Sequence, residues 1–90
     1  MDTFKIKAII AAIQHKSLSR AAEEFSYTPS AFSHMTAAFE KELGVQIFHR
    51  HSKGVELTEA GKALYPKLCA IVQQETELLQ TALLWRFNRC

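Results

Sequence analysis

The chain has 90 residues, 48% hydrophobic and 22% charged, a balance that excludes a disordered tail and describes one small globular domain. Its formal net charge is only +2, and Lys16 to Lys62 carries six basic and six acidic side chains. Affinity for an anionic partner must therefore come from where charges sit, since the total supplies none. The longest apolar run, Ala8 to Ile13, falls well short of the ~20 residues that cross a bilayer, and Met1-Asp2-Thr3 lacks the basic start and cleavage site of a secretory leader. A cytoplasmic protein without a membrane partner is expected. Cys69 and Cys90 form no CxxC pair and read as incidental thiols, too few for a disulfide framework or a zinc site.

Ile6, Ile9, Ile10 and Ile13 recur at i, i+3, i+4 and i+7, which predicts an amphipathic helix over about Thr3 to His15. Lys16-Ser17 breaks it. Ser19 is a good N-cap for a second helix, Arg20 to Ser26, that buries Ala21, Ala22 and Phe25. The two alanines would let another helix cross closely. Ser26-Tyr27 makes a turn, Thr28 caps a third helix and Pro29 suits its first position. Phe32, Met35 or Thr36, Phe39 and Leu43 form the buried stripe of this helix; Ser30, Ser33, His34, Ala37 and Lys41 face outward. Gly44 is its C-cap. Val45 to Phe48 packs beneath, and His49 to Gly54 reads as the tip of a hairpin between Ile47–His49 and Val55–Leu57.

Thr58 caps a last helix predicted to reach Leu84, about 40 Å long at about 1.5 Å per residue. Leu64, Leu68, Ile71, Glu75, Leu78, Ala82 and Trp85 fall on one seam, alternately four and three apart, and Val72, Leu79 and Leu83 widen it. So long an apolar stripe exceeds what the preceding residues can cover, which predicts a homodimer through Leu64, Leu68, Ile71, Val72, Leu78, Leu79 and Ala82. Pro66 lies inside the helix and is expected to kink it near Lys62–Pro66.

Ser19-Arg20-Ala21-Ala22-Glu23, Ala31-Phe32-Ser33, Glu40-Lys41-Glu42-Leu43-Gly44-Val45-Gln46-Ile47-Phe48, Arg50 and Leu57-Thr58-Glu59-Ala60-Gly61 together resemble the LysR-type transcriptional regulators. The motifs stand in the family's order, and the resemblance covers about residues 2 to 80. It implies a mostly α fold: a winged helix-turn-helix of three helices and a short β-hairpin wing, followed by a long dimerising helix. The DNA-binding domain would occupy 1–58, with the helix-turn-helix at about 18–39, and the linker helix and tail 59–90. In this family a ligand-sensing domain normally follows. Leu83 to Cys90 does not resemble the bridge to it, so the expectation is a truncated or degenerate member, or a chain cut short of its sensor domain. Three further features depart from the family's pattern. Pro29 precedes Ser30 where a polar residue usually comes first, His34 stands where Arg or Lys is favoured, and Ala37 and Ala38 replace residues that are often basic.

The resemblance points to double-stranded DNA as partner, with the start of the third helix in the major groove. Thr28, Ser30 and Ser33 could donate to phosphate or a base edge, while Pro29 and Ala37 offer only apolar contact; equally, these small residues could simply solvate a surface helix. His34 could read a base or, protonated, hold phosphate, so affinity is expected to rise on acidification. Arg50, His51 and Lys53 would contact backbone or minor groove from the wing, and Arg20 is a further phosphate candidate. His49-x-His51 lacks a third ligand, so no metal is expected. The paired glutamates Glu23-Glu24 and Glu40/Glu42 read as solvated helix faces. With no phosphate-binding glycine loop and no nucleophile-base motif, neither an enzyme nor a cofactor is expected. The expectation is a DNA-binding transcriptional regulator in the bacterial nucleoid. The alternative is an interaction module that pairs with a full-length LysR-type relative and modulates it.

Overall fold

The computed structural model describes residues 2–87; Asn88, Arg89 and the thiol of Cys90 lie outside the described residues. Four helices and one hairpin follow in the order α1 (Thr3–His15), α2 (Leu18–Glu24), α3 (Pro29–Leu43), β1 (Phe48–His51), β2 (Gly54–Leu57) and α4 (Glu59–Phe87). The expected architecture, a winged helix-turn-helix with a long C-terminal helix, is what the chain adopts.

Asp2 caps α1, its Oδ1 accepting from the Lys5 amide at 2.9 Å. The helix buries Ile6, Ala8, Ile9, Ala11 and Ala12, while Ile10 and Ile13 are half-buried against the core. Alanines dominate the inner face because α2 crosses there, and Ala21 and Ala22 are fully buried opposite. Small side chains on both helices bring the backbones close. Ser17, and not Ser19, caps α2: its Oγ accepts from Arg20 N at 3.1 Å. The helix starts two residues earlier than the capping pattern suggested, and so carries half-buried Leu18 onto the core. It also ends earlier, at Glu24, and Ser26 turns the chain in the left-handed region at φ 60°. Phe4, Phe25, Tyr27 and Phe32 flank this turn, with edge-to-face contacts of 5.5 Å for Phe4–Phe25 and for Tyr27–Phe32.

Thr28 and Pro29 open α3 as expected, with Thr28 Oγ1 accepting from Ala31 N at 3.1 Å. Both Met35 and Thr36 are buried with Phe32 and Phe39, and the Thr36 hydroxyl donates to the Ser33 carbonyl at 2.9 Å. Gly44 ends the helix at φ 80°. In the segment that follows, Ile47 and Phe48 are buried but Val45 and Gln46 stay exposed. The hairpin is antiparallel, pairing Phe48 with Leu57 and His51 with Gly54. Its strands extend further than predicted, leaving only Ser52 and Lys53 between them.

The side chain of Thr58 joins the hairpin to α4. Its Oγ1 donates to the Gln46 carbonyl at 2.6 Å and accepts from Gly61 N at 2.9 Å, capping the helix. A side chain at Gly61 would overlap the Ile47 carbonyl, so only glycine lets α4 start this close. The 29 residues of α4 span about 43 Å and run through Pro66 without a break. The helix has two halves. Leu68 is 4% exposed and belongs to the core, Leu64 and Val72 pack against it, and Lys7 meets Glu75 at 3.5 Å. Beyond that ion pair Leu78, Leu79, Ala82, Leu83, Leu84 and Trp85 are all exposed, Leu78 by 67% and Trp85 by 75%. The molecule is accordingly elongated, 58 × 27 × 20 Å. This division splits the predicted seam within the single chain: Leu68 is buried in the core, and Leu64 and Val72 are half-buried against it. Ile71, Leu78, Leu79 and Ala82 remain uncovered.

Candidate nucleic-acid interface

Helix α3 presents Pro29, Ser30, His34 and Ala37 to solvent, with Ser33 half-buried beside them. The hydrogen bonds that build the helix explain what this face can still do. Thr28 uses its oxygen lone pair on Ala31 N, which leaves its hydroxyl proton free to donate outward. Ser33 gives its carbonyl to Thr36 and keeps its hydroxyl for the surface.

The wing stands beside this face, with β2 packed on α1 and α4. Ser33, His34 and Ala37 line one shallow depression together with Arg50 of β1. A second depression joins it, formed by Ser17, Leu18, Ser19, Pro29, Ser33, Arg50, His51, Gly54 and Val55. Arg50 and Ser33 line both, so the start of α2, the start of α3 and the wing border one surface on which Arg50 supplies the cation. A planar five-donor cation beside hydroxyls and the positive end of α3 suits phosphate oxygens.

The residues proposed from sequence divide into three groups. Pro29, Ser33, His34, Ala37, Arg50 and His51 are brought together by the fold. Thr28, Ser30 and Arg20 are exposed nearby but line neither depression. Lys53 lies on the far side of the hairpin, in a separate groove with Ile13, Lys16, Phe48, His51, Val55, Glu56, Leu57 and Lys62. His51 touches both sides of the wing, and its Nδ1 accepts from the Lys53 amide at 3.2 Å, which shapes the tip.

Sequence reasoning missed several participants. Ser19 was read as a cap but is free of that role and lines the surface. Glu40 was read as solvated, yet its Oε2 accepts from the amides of Ile47 at 2.6 Å and Phe48 at 3.1 Å. Glu24, also read as solvated, lies 2.7 Å from His15 Nε2. No local pattern signals Glu40, because its partners are backbone groups beyond the end of its own helix.

The sequence profile of the bacterial regulatory helix-turn-helix proteins of the lysR family matches residues 4–62. This chain belongs to that family. The HTH-type transcriptional regulator DsdC of Escherichia coli K12 is 46% identical over 65 residues, which cover 72% of this chain and 19% of DsdC. The chain thus spans a small part of the length of this LysR-family relative. The structure of Vibrio fischeri DarR in complex with DNA superposes with a TM-score of 0.85 at 27% identity, over 97% of this chain and 30% of DarR. The BenM DBD in complex with benA site 1 DNA gives a TM-score of 0.91 over 99% of this chain and all of its own; at 19% identity it speaks for the fold alone. As in these LysR-family structures, a long C-terminal helix follows the winged helix-turn-helix. Among the described residues no helix is long and apolar enough to cross a membrane.

Proposed function

We propose that this chain binds double-stranded DNA as a homodimer in transcription regulation, acting at the bacterial nucleoid. Helix α3 enters the major groove with Pro29, Ser30, Ser33, His34 and Ala37. Arg50 and His51 hold the adjacent backbone or minor groove, and Thr28 and Arg20 reach phosphates at the edge. The observation that carries this reading is the single surface shared by the outer face of α3 and Arg50. The DNA complex of DarR, a relative in fold and sequence, supports it. Two copies joined through the exposed half of α4, at Ile71, Leu78, Leu79 and Ala82, would present two recognition helices to the half-sites of a quasi-palindrome.

The test is binding to promoter duplexes across a salt series. Phosphate contacts make log affinity fall linearly with log salt, losing about a thousandfold or more between about 50 and 200 mM for six or more contacts. A weak dependence would remove the wing and the helix start from the interface.

A second reading is favoured by one feature: the outer face of α3 places His34 and Ala37 beside Arg50, and Ala38 is also exposed, with few cations. On that reading the exposed half of α4 pairs with a full-length relative, and the mixed dimer is modulated without tight DNA binding by this chain. A chain that sediments as a dimer yet shifts no duplex at any salt would favour it.

A further inference from the structure

Glu40 lies in the last turn of α3. It is half-buried, and through one residue α3 holds four backbone donors among the five residues that leave it. The Glu40 carbonyl accepts from Gly44 at 2.8 Å and Val45 at 3.2 Å, and its Oε2 accepts from Ile47 at 2.6 Å and Phe48 at 3.1 Å. The last of these is the first residue of β1, two before Arg50. Ala37, which lines a depression with Arg50, precedes Glu40 by one turn of the same helix. The carboxylate therefore sets where β1 begins relative to the face of α3.

We propose that Glu40 is a positioning residue for Arg50: its charge-assisted bonds to the two amides fix the distance between the wing's cation and the recognition helix. The inference deepens the DNA-binding reading above and rests on it. A bland role for Glu40, holding the fold together, makes a different prediction. Stability alone would be lost with Glu40, independently of whether Arg50 is present. A positioning role acts through Arg50 and vanishes once Arg50 is gone.

The experiment is a double-mutant cycle on the whole chain, with Glu40→Ala, Arg50→Ala and the pair. Because wing contacts to the DNA backbone do not read sequence, an arbitrary duplex of about 30 base pairs at low salt serves as probe. Glu40→Ala and Arg50→Ala should each lower affinity by about tenfold, and the pair by no more than Arg50→Ala alone. Glu40→Gln keeps a neutral acceptor and should lose about threefold at most, again only while Arg50 is present. It replaces the alanine variant should that fail to fold. Losses that multiply to about a hundredfold in the pair would overturn the proposal. Amide exchange without DNA separates it from the reading it rests on. Ile47 to Arg50 should exchange faster in the Glu40 variant while α1 stays protected; unchanged exchange there overturns the positioning role. Failure of the wild type to bind any duplex would instead overturn the DNA-binding reading.

Discussion

The carbonyl oxygen of Lys16 accepts a hydrogen bond from the amide of Val55 at 3.2 Å, tying the turn between α1 and α2 to the second strand of the wing. Gly54, one residue earlier, passes so close to that oxygen that a β-carbon would overlap it, and its φ of 134° disfavours any side chain. Gly54→Ala should therefore cost about 2–3 kcal/mol, from strain and the displaced hydrogen bond together. Urea unfolding would report this as a lowered midpoint at constant slope. An unchanged midpoint would mean that the wing is not held at this point.

The start of α2 makes a sharp comparison between two serines two residues apart. Ser17 accepts from Arg20 N, so Ser17→Ala should cost about 1 kcal/mol. Ser19 makes no cap, and Ser19→Ala should stay within about 0.5 kcal/mol. For a domain of this size the first change lowers the melting temperature by about 4–8 °C, readily seen by circular dichroism. The reverse order would restore Ser19 as the cap.

These serines also show what the sequence alone can tell. Features decided within a few residues are legible in it: the Thr28-Pro29 opening and the Gly44 close of α3 follow from local geometry. The alternating apolar spacings give the helices themselves. Choosing Ser17 over Ser19 depends on Leu18 packing on the core, a tertiary demand that no cap pattern carries. The crowding at Gly54 and Gly61 arises from the carbonyls of Lys16 and Ile47, distant in sequence. Spacing alone also could not divide the seam of α4, since it marks an apolar face without saying which neighbour covers it. At the candidate interface, the residue types of α3 and the wing were legible. That Lys53 lines a different groove from Arg50 was not, because it depends on how β2 packs on α1 and α4.

The two halves of α4 should respond differently to substitution. Leu68→Ala opens a cavity in the core and should cost about 2–4 kcal/mol. Leu78→Glu with Leu79→Glu changes residues that are exposed in the single chain, and should leave the unfolding of each domain nearly intact. Sedimentation should then show a monomer where the parent chain is a dimer. A parent that is itself monomeric at micromolar concentration would remove α4 as the pairing surface.

Ala37 offers a gain-of-function test. It is exposed and shares a depression with Arg50, with no cation of its own. Ala37→Lys adds one charge where a duplex would pass, and should strengthen binding and steepen the salt slope by about one. A change of affinity without a change of slope would point to an apolar contact at this position.

The core contacts of Leu68 and Val72 have a practical consequence for dissecting the protein. The match to the family's sequence profile stops at Lys62, but the hydrophobic interior continues about two to three helical turns past it. A fragment trimmed to the profile match would lose Leu64, Leu68 and Val72 from the core that α4 shares with α1, and should not fold. The family profile and the smallest autonomous folding unit have different lengths here. The second reaches at least Val72, with the Lys7–Glu75 pair just beyond it as a natural place to cut.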